Sequence, residues 1–141
     1  MPRLARAPRG EGGRLSETRS AGALPACILA WLVPGAGHLY LGRVGKGLVL
    51  LGAIGGLFVL GLAMDARLQM YFGLDDPLSF LRSLAQMAIG LPYFAVRYLG
   101  LDSGQVTSPA HEYGNTFTEV GGLLNVMVIL DALDTALGRK A

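Results

Sequence analysis

Four long apolar stretches alternate with shorter polar segments along the chain. They run from about Ala21 to Leu41, from Gly47 to Met64, from Leu78 to Leu99 and from Thr116 to Leu137. Each is close to the roughly 20 residues that an α-helix needs to cross bilayer hydrocarbon. The apolar residues are blocked together rather than spread on one helical face. The pattern predicts an all-α integral membrane protein with about four transmembrane or re-entrant helices, arranged as two hairpins.

The four stretches differ in how many charged or helix-breaking residues interrupt them. The second carries no charged residue and is the clearest span. The first is interrupted by Pro34, Gly35 and Gly37, which weaken a helix because proline removes a backbone donor and glycine adds freedom. It therefore either crosses with a kink or enters the bilayer and returns, and the sequence leaves both open. Pro92 predicts a kink in the third stretch.

Composition agrees with a bilayer rather than water as the solvent. Hydrophobic residues make up 52% of the 141 residues, charged residues only 16%, and the mean hydropathy is +0.46. An ordinary soluble domain has about 25% charged residues. Cys27 is the only cysteine, so no internal disulfide is expected.

The predicted organisation places basic tails on either side of two hairpins. Residues 1–20 read as a disordered basic tail, 21–64 as a glycine-rich hairpin, 65–77 as a polar loop, 78–137 as a second hairpin and 138–141 as a basic tail. Basic residues favour the cytoplasmic side. The prediction is a multi-pass protein of the cell inner (cytoplasmic) membrane with a cytoplasmic N-terminus.

The side of the C-terminus depends on how the first stretch behaves. Four full spans put both basic tails inside, but leave Arg43 and Lys46 outside. A re-entrant first stretch keeps those two inside, yet moves the C-terminus outside if the third and fourth stretches both span. Four spans are the preferred expectation.

A glycine-rich string joins the first two stretches. Its glycines permit tight turns, Tyr40 suits the membrane interface, and its basic side chains can reach lipid phosphates. The string resembles the hairpin signature of the two-transmembrane (TM-two) domain family.

The chain as a whole is similar to DUF6677, a bacterial family of unknown function, in this hairpin, in Leu91 to Phe94, in Glu112 to Gly114 and in its Leu-Asp ending. The resemblance implies a membrane location and a four-segment plan, and no activity. The hairpin residues are Pro34, Gly35, Gly37, His38, Tyr40, Gly42, Arg43, Lys46 and Gly47.

No pattern of catalytic or cofactor-binding residues is found. The glycines of the hairpin lack the spacing of a phosphate-binding loop. His38 is interpreted as a hydrogen-bonding residue at a helix end, with a proton or metal role as the alternative. His111 and Glu112 are expected in a solvated loop. We therefore expect no catalytic site, cofactor, metal, nucleic acid or small-molecule substrate.

Polar residues in the third and fourth stretches suggest a charge ladder. Arg82 and Arg97 are 15 residues apart, and so are Glu119 and Asp134. In an antiparallel hairpin this spacing pairs Arg97 with Glu119 near one membrane face and Arg82 with Asp134 near the other. It also brings Gln86 close to Asp131. Pairing would lower the cost of holding charge in lipid.

Two functional hypotheses remain. Gly52 and Gly56 have GxxxG spacing, which lets helices approach closely and favours a protein partner or a homo-oligomer. This supports a non-enzymatic scaffold or interaction subunit of the bacterial inner membrane. The alternative is a small transporter or channel component that uses the polar stripe between the third and fourth stretches, with Asn125 in mid-membrane.

Overall fold

The computed structural model describes residues 11–139, apart from the side chains at positions 11, 12, 15, 16 and 19, and this range is helical with no strand. Predictions on residues 1–10 and 140–141 lie outside it. Residues 11–20, predicted as part of a disordered tail, instead form the first turns of a helix. The helices are α1 Glu11–Leu32, α2 Ala36–Tyr40, α3 Val44–Ala63, α4 Pro77–Met87, α5 Leu91–Leu99 and α6 His111–Ala136.

The long helices α3 and α6 pack side by side in opposite directions. Gly61, at the end of α3, lies against Gly114 and Thr118, near the start of α6. At the other end, Lys46 of α3 contacts Asp131 of α6. Both helices are long and apolar enough to cross a membrane. The predicted second and fourth stretches are thus found as single helices, and α6 begins five residues earlier than expected.

The first predicted stretch is a helix that turns back on itself. The α1 helix ends at Leu32, just before Pro34, and Gly35 adopts a left-handed backbone with φ of 85°. The short α2 then runs back along α1, because Gly37 lies against Ala26 and Ala30 and also against Ala132 of α6. A proline and a glycine with positive φ together reverse the chain.

The third predicted stretch is also broken in two. Helix α4 lies beside α6 and runs in the same direction, with Ala85 against Gly122 and Arg82 beside Glu119. The break comes at Gly90, whose φ of 91° few other residues adopt. Pro92 was expected to kink this stretch. It lies instead in the first turn of α5, where the missing N–H costs nothing.

The two chain reversals meet beside the middle of α6. The carbonyl of Trp31, at the end of α1, approaches Gly90 so closely that a Cβ there would overlap it. The Trp31 and Phe94 rings pack edge to face with centroids 6.2 Å apart. Asn125 of α6 donates to the Ala88 carbonyl at 2.8 Å. The result is two long antiparallel helices, α3 and α6, with two helix pairs, α1–α2 and α4–α5, that reverse beside α6.

An extended segment, residues 66–71, links α3 to α4 and is held by side chains. Its alternate backbone N–H groups point the same way, as in a strand. The Arg67 N–H donates to the Asn115 side chain at 2.9 Å, the Gln69 N–H to the Gln86 side chain at 2.8 Å, and the Tyr71 N–H to the Ser83 hydroxyl at 3.0 Å. We call residues 66–71 the linking segment.

Side chains of α5 bind two carbonyl groups of the linking segment. The Tyr93 hydroxyl donates to the Gln69 carbonyl at 2.6 Å, and Arg97 donates to the Leu68 carbonyl at 3.3 Å. Phe58, Leu68, Ile89 and Tyr93 form the apolar core of this half. The region predicted as a polar loop over 65–77 is therefore partly buried structure.

Asp76 begins α4 as its N-cap. Its side chain accepts from the Ser79 hydroxyl at 2.6 Å and from the backbone N–H of Leu78 and of Ser79. These bonds favour the ionised form, and the Ser79 hydroxyl contributes most to lowering the pKa of Asp76. The cap satisfies donors that the first turn of a helix leaves free.

Candidate functional site

A cluster of charged and polar side chains lies where α2, α3 and α6 meet. His38 Nε2 is 2.7 Å from Asp131 Oδ2, and the Lys46 ammonium contacts the same oxygen. The His38 side chain is fully buried, while Asp131 is 18% and Lys46 42% exposed. The cluster therefore runs from the protein interior to the surface. The hairpin motif places His38 and Lys46, and α6 supplies the carboxylate.

The tight packing around His38 depends on glycines. Gly35 lies against the backbone of Gly47, and the Leu39 side chain also lies against Gly47. Because these contacts leave no room for a side chain, α2 and the start of α3 come close enough to bring both His38 and Lys46 to one carboxylate. With Asp131 ionised, His38 donates through Nε2. Its Nδ1 atom is buried with no hydrogen-bond partner among the described residues.

The cluster forms one end of an open groove of about 660 Å³ between α3 and α6. Its walls are aliphatic, except at the end formed by Lys46, Asp131 and Asp134. Asp134 is 40% exposed and lies 3.7 Å from Arg139. The groove thus combines an apolar trough with a charged mouth. The apolar lining residues are Leu50, Ala53, Ile54, Leu124, Met127, Val128 and Leu130.

The predicted charge ladder is found with different partners. Arg82 lies 3.7 Å from Glu119 rather than near Asp134, and Arg97 binds Asp102 at 2.7 Å rather than Glu119. The predicted pairs are therefore wrong. They assumed one unbroken helix antiparallel to α6, whereas the break at Gly90 leaves α4 parallel to it.

The other ladder residues also take new roles. Gln86 was expected near Asp131, but its amide donates to Thr118 at 3.1 Å. Asp131 binds the hairpin residues His38 and Lys46, and Asp134 binds Arg139. The structure thus joins two predicted sets, the hairpin motif and the ladder, through Asp131.

A second buried polar group surrounds the start of α6. His111 was expected in a solvated loop, but it is buried in the first turn of the helix. Its Nδ1 donates to the Asp65 carbonyl at 2.6 Å, and its Nε2 accepts from Asn115 at 3.0 Å. The His-Asn pair at i and i+4 was the available sequence signal, because such residues share a helix face.

The remaining motif residues lie at the surface or in turns. Tyr40 is exposed, and Gly42 has φ of 79° in the turn before α3. Gly52 and Gly56 lie on an exposed face of α3, and an added Cβ would meet nothing within 4 Å at either. In the part of the chain with placed side chains, no three His, Cys, Asp or Glu residues are grouped to hold a metal.

Comparison with known proteins identifies a family and little else. The sequence model of a family of unknown function, DUF6677, matches residues 25–141. An uncharacterized protein of Methanocaldococcus jannaschii is 62% identical over 26 residues, which are 18% of this chain and 26% of that protein. The chain therefore matches about a quarter of that relative. No solved structure matches it.

Proposed function

The chain belongs to the DUF6677 family, whose function is unknown, and we propose that it is an integral membrane interaction subunit. In this proposal α3 and α6 cross the bilayer, while α1–α2 and α4–α5 enter from opposite faces. The observation that carries it is exposure of the two apolar helices. Only 22% of the apolar window of α3 and 33% of that of α6 is buried within the protein. A core helix of a soluble protein would be mostly covered.

Helix lengths support the same arrangement. At 1.5 Å per residue, the 20 residues of α3 measure about 30 Å, which matches the hydrocarbon thickness. The 11 residues of α4 measure about 16 Å and reach about the middle. Non-helical backbone at that depth is stable when protein covers it and supplies hydrogen bonds. Asn125 does so for the Ala88 carbonyl, and Gly90 is buried.

Charge distribution supports one orientation. With two crossings, the segments before α3 and after α6 lie on the same side. Nine of the 12 lysines and arginines lie before Gly47 or after Ala136. The loops 64–76 and 100–110 at the other end hold four aspartates and one arginine. The positive-inside tendency then places Arg43, Lys46 and Arg139 together in the cytoplasm.

Cysteine labelling tests this topology against four full spans. In a Cys27→Ser background, we expect Arg43→Cys to be blocked from outside the cell and Asp75→Cys to react with a membrane-impermeant maleimide. Four spans predict the reverse for both positions. Ser103→Cys reacts from outside in either topology and serves as the labelling control. Reaction of Arg43→Cys from outside, with Asp75→Cys protected, would overturn the re-entrant arrangement.

A stripe of small and β-branched residues on α3 is the proposed interaction surface. At 100° per residue these positions fall within about 80° of the helix circumference, facing away from α6. Spacings of four and three residues alternate along the stripe, as in a helix-pairing seam. Small residues there let a second membrane helix approach closely. The residues are Gly45, Val49, Gly52, Gly56, Val59 and Ala63, all exposed.

We propose α3 of a second copy as the occupant. A two-fold axis places the same surface on both partners, so Gly52 and Gly56 would face their own counterparts. Transport is the less favoured role. Gln86 and Asn125, the polar residues that suggested a path, are fully buried and hydrogen-bond to the linking segment and to the end of α4.

Isoleucine substitutions test the pairing. We expect the double substitution Gly52→Ile and Gly56→Ile to reduce the amount of cross-linked dimer in membranes about fivefold, because the added side chains separate the two helices. Gly55→Ile is the matched control, since a Cβ there also meets nothing within 4 Å in one copy but lies off the stripe. Equal cross-linking of all three proteins would contradict the proposed surface.

A further inference from the structure

The groove between α3 and α6 has the length of one bilayer leaflet. It extends along α3 from Lys46 to Ile54, about 12 Å, and along α6 from Leu124 to Asp134, about 15 Å. Half of the hydrocarbon thickness is also about 15 Å. The charged end lies near the start of α3, which is at the membrane surface in the proposed topology. The apolar end stops near mid-membrane.

The charges at the mouth of the groove have both signs. Lys46 supplies an ammonium, Asp131 and Asp134 supply carboxylates, and the Arg139 guanidinium lies 3.7 Å from Asp134. Since both Lys46 and Asp134 are about 40% exposed, each keeps part of its surface open to a ligand. A complementary ligand has a phosphate for Lys46 and a protonated amine for Asp134, joined to an apolar chain.

These observations favour a lipid over a helix as the occupant. A transmembrane helix is about 10 Å wide and crosses the whole bilayer, whereas the groove ends half-way. The full-length stripe on α3 suits a helix better. An acyl chain fills one leaflet and leaves its headgroup at the surface, which matches the apolar trough and the charged mouth.

We infer that the groove binds one acyl chain of a phospholipid with an ethanolamine headgroup. Its phosphate lies at Lys46 and its ammonium donates hydrogen bonds to Asp134, with the His38–Asp131 contact holding the mouth in place. A choline headgroup carries no N–H to donate. A glycerol headgroup carries no ammonium to donate to Asp134. The inference rests on the proposed membrane embedding.

Native mass spectrometry of the full chain released from detergent tests the ligand. Phosphatidylethanolamine, phosphatidylcholine and phosphatidylglycerol with identical acyl chains are added separately. We expect the ethanolamine lipid to bind about fivefold more strongly, the effect of one net hydrogen bond. Asp134→Asn should remove that preference, and Asp75→Asn, an exposed residue far from the groove, should retain it. Equal binding of the three lipids to the unaltered chain would overturn the inference.

Filling the trough tests the site. Ala53→Phe should reduce binding of all three lipids, whereas Ala95→Phe, exposed on α5 and outside the groove, should not. If Ala53→Phe abolishes dimer cross-linking and leaves lipid binding unchanged, a helix occupies the groove and the inference is wrong. A chain that stays monodisperse without detergent refutes membrane embedding. A chain that requires detergent but shows no lipid preference refutes the groove assignment alone.

Discussion

Replacing Gly122 by alanine is expected to destabilise the protein by about 3 kcal/mol, because it separates α4 from α6. A Cβ at Gly122 would overlap the carbonyl of Ala85, which is backbone and cannot rotate away. Helix α4 would have to shift, which would disturb the contact of Arg82 with Glu119 and the hydrogen bond from Asn125 to the Ala88 carbonyl. Thermal unfolding of the purified protein in detergent measures the loss.

The neighbouring glycine provides the control for this substitution. A Cβ at Gly121 would lie 3.7 Å from Leu57 and 3.8 Å from the Ile54 carbonyl, which are ordinary contact distances. Gly121→Ala should leave stability nearly unchanged, since it also lowers the conformational entropy of the unfolded chain. Equal unfolding temperatures for the two alanine variants would show that α4 does not pack on Gly122.

Replacing Gln86 by leucine is expected to cost about 3 kcal/mol and to loosen the linking segment. The change removes the acceptor of the Gln69 N–H and the donor to Thr118, and a buried N–H without a partner costs about 1–3 kcal/mol. Hydrogen exchange of the Gln69 amide should accelerate together with a drop in unfolding temperature.

Two further variants provide a smaller expected loss and a control. Thr118→Val removes the bond from Gln86 and the bond from the Thr118 hydroxyl to the Asn115 carbonyl, but leaves the Gln69 N–H its acceptor. A smaller loss of about 1–2 kcal/mol is therefore expected. Gln105→Leu, at an exposed position, should change neither quantity. Unaltered exchange of the Gln69 amide in Gln86→Leu would mean that the segment is held by other contacts, chiefly Tyr93 and Arg97.

Hydropathy alone predicted where helices form but not how far each one runs. The second and fourth stretches became α3 and α6 because no residue inside them interrupts the helix. The first and third have similar apolar lengths yet reverse at Gly35 and Gly90. A crossing helix and a returning pair contain the same number of apolar residues. What separates them is the backbone conformation at these two glycines, which composition does not encode.

The charge ladder shows how one local error spreads. The shared 15-residue spacing predicted partners only for an unbroken helix beside α6. Because the chain reverses at Gly90, Arg97 lies back toward the end where α4 begins, and it binds Asp102. Helix α4 packs parallel to α6, which brings Arg82 beside Glu119. Asp131 was predicted to lie near Gln86 of the third stretch. Its partners came from the hairpin, 93 and 85 positions away in sequence.

The linking segment also constrains the order of events during synthesis. Arg67 emerges from the ribosome 48 residues before Asn115, the residue that satisfies its amide. Until α6 has been made, the Arg67 amide has no partner, whereas the amides of Gln69 and Tyr71 can already bind side chains of α4. In the proposed membrane arrangement the Arg67 amide stays hydrated at the membrane surface, since bare peptide groups are costly in lipid. Translation of the final helix therefore completes the hydrogen bonds of the linking segment. If α3 crosses the bilayer as proposed, a nascent chain truncated before α6 would retain α3 there, with the residues around Arg67 more open to protease.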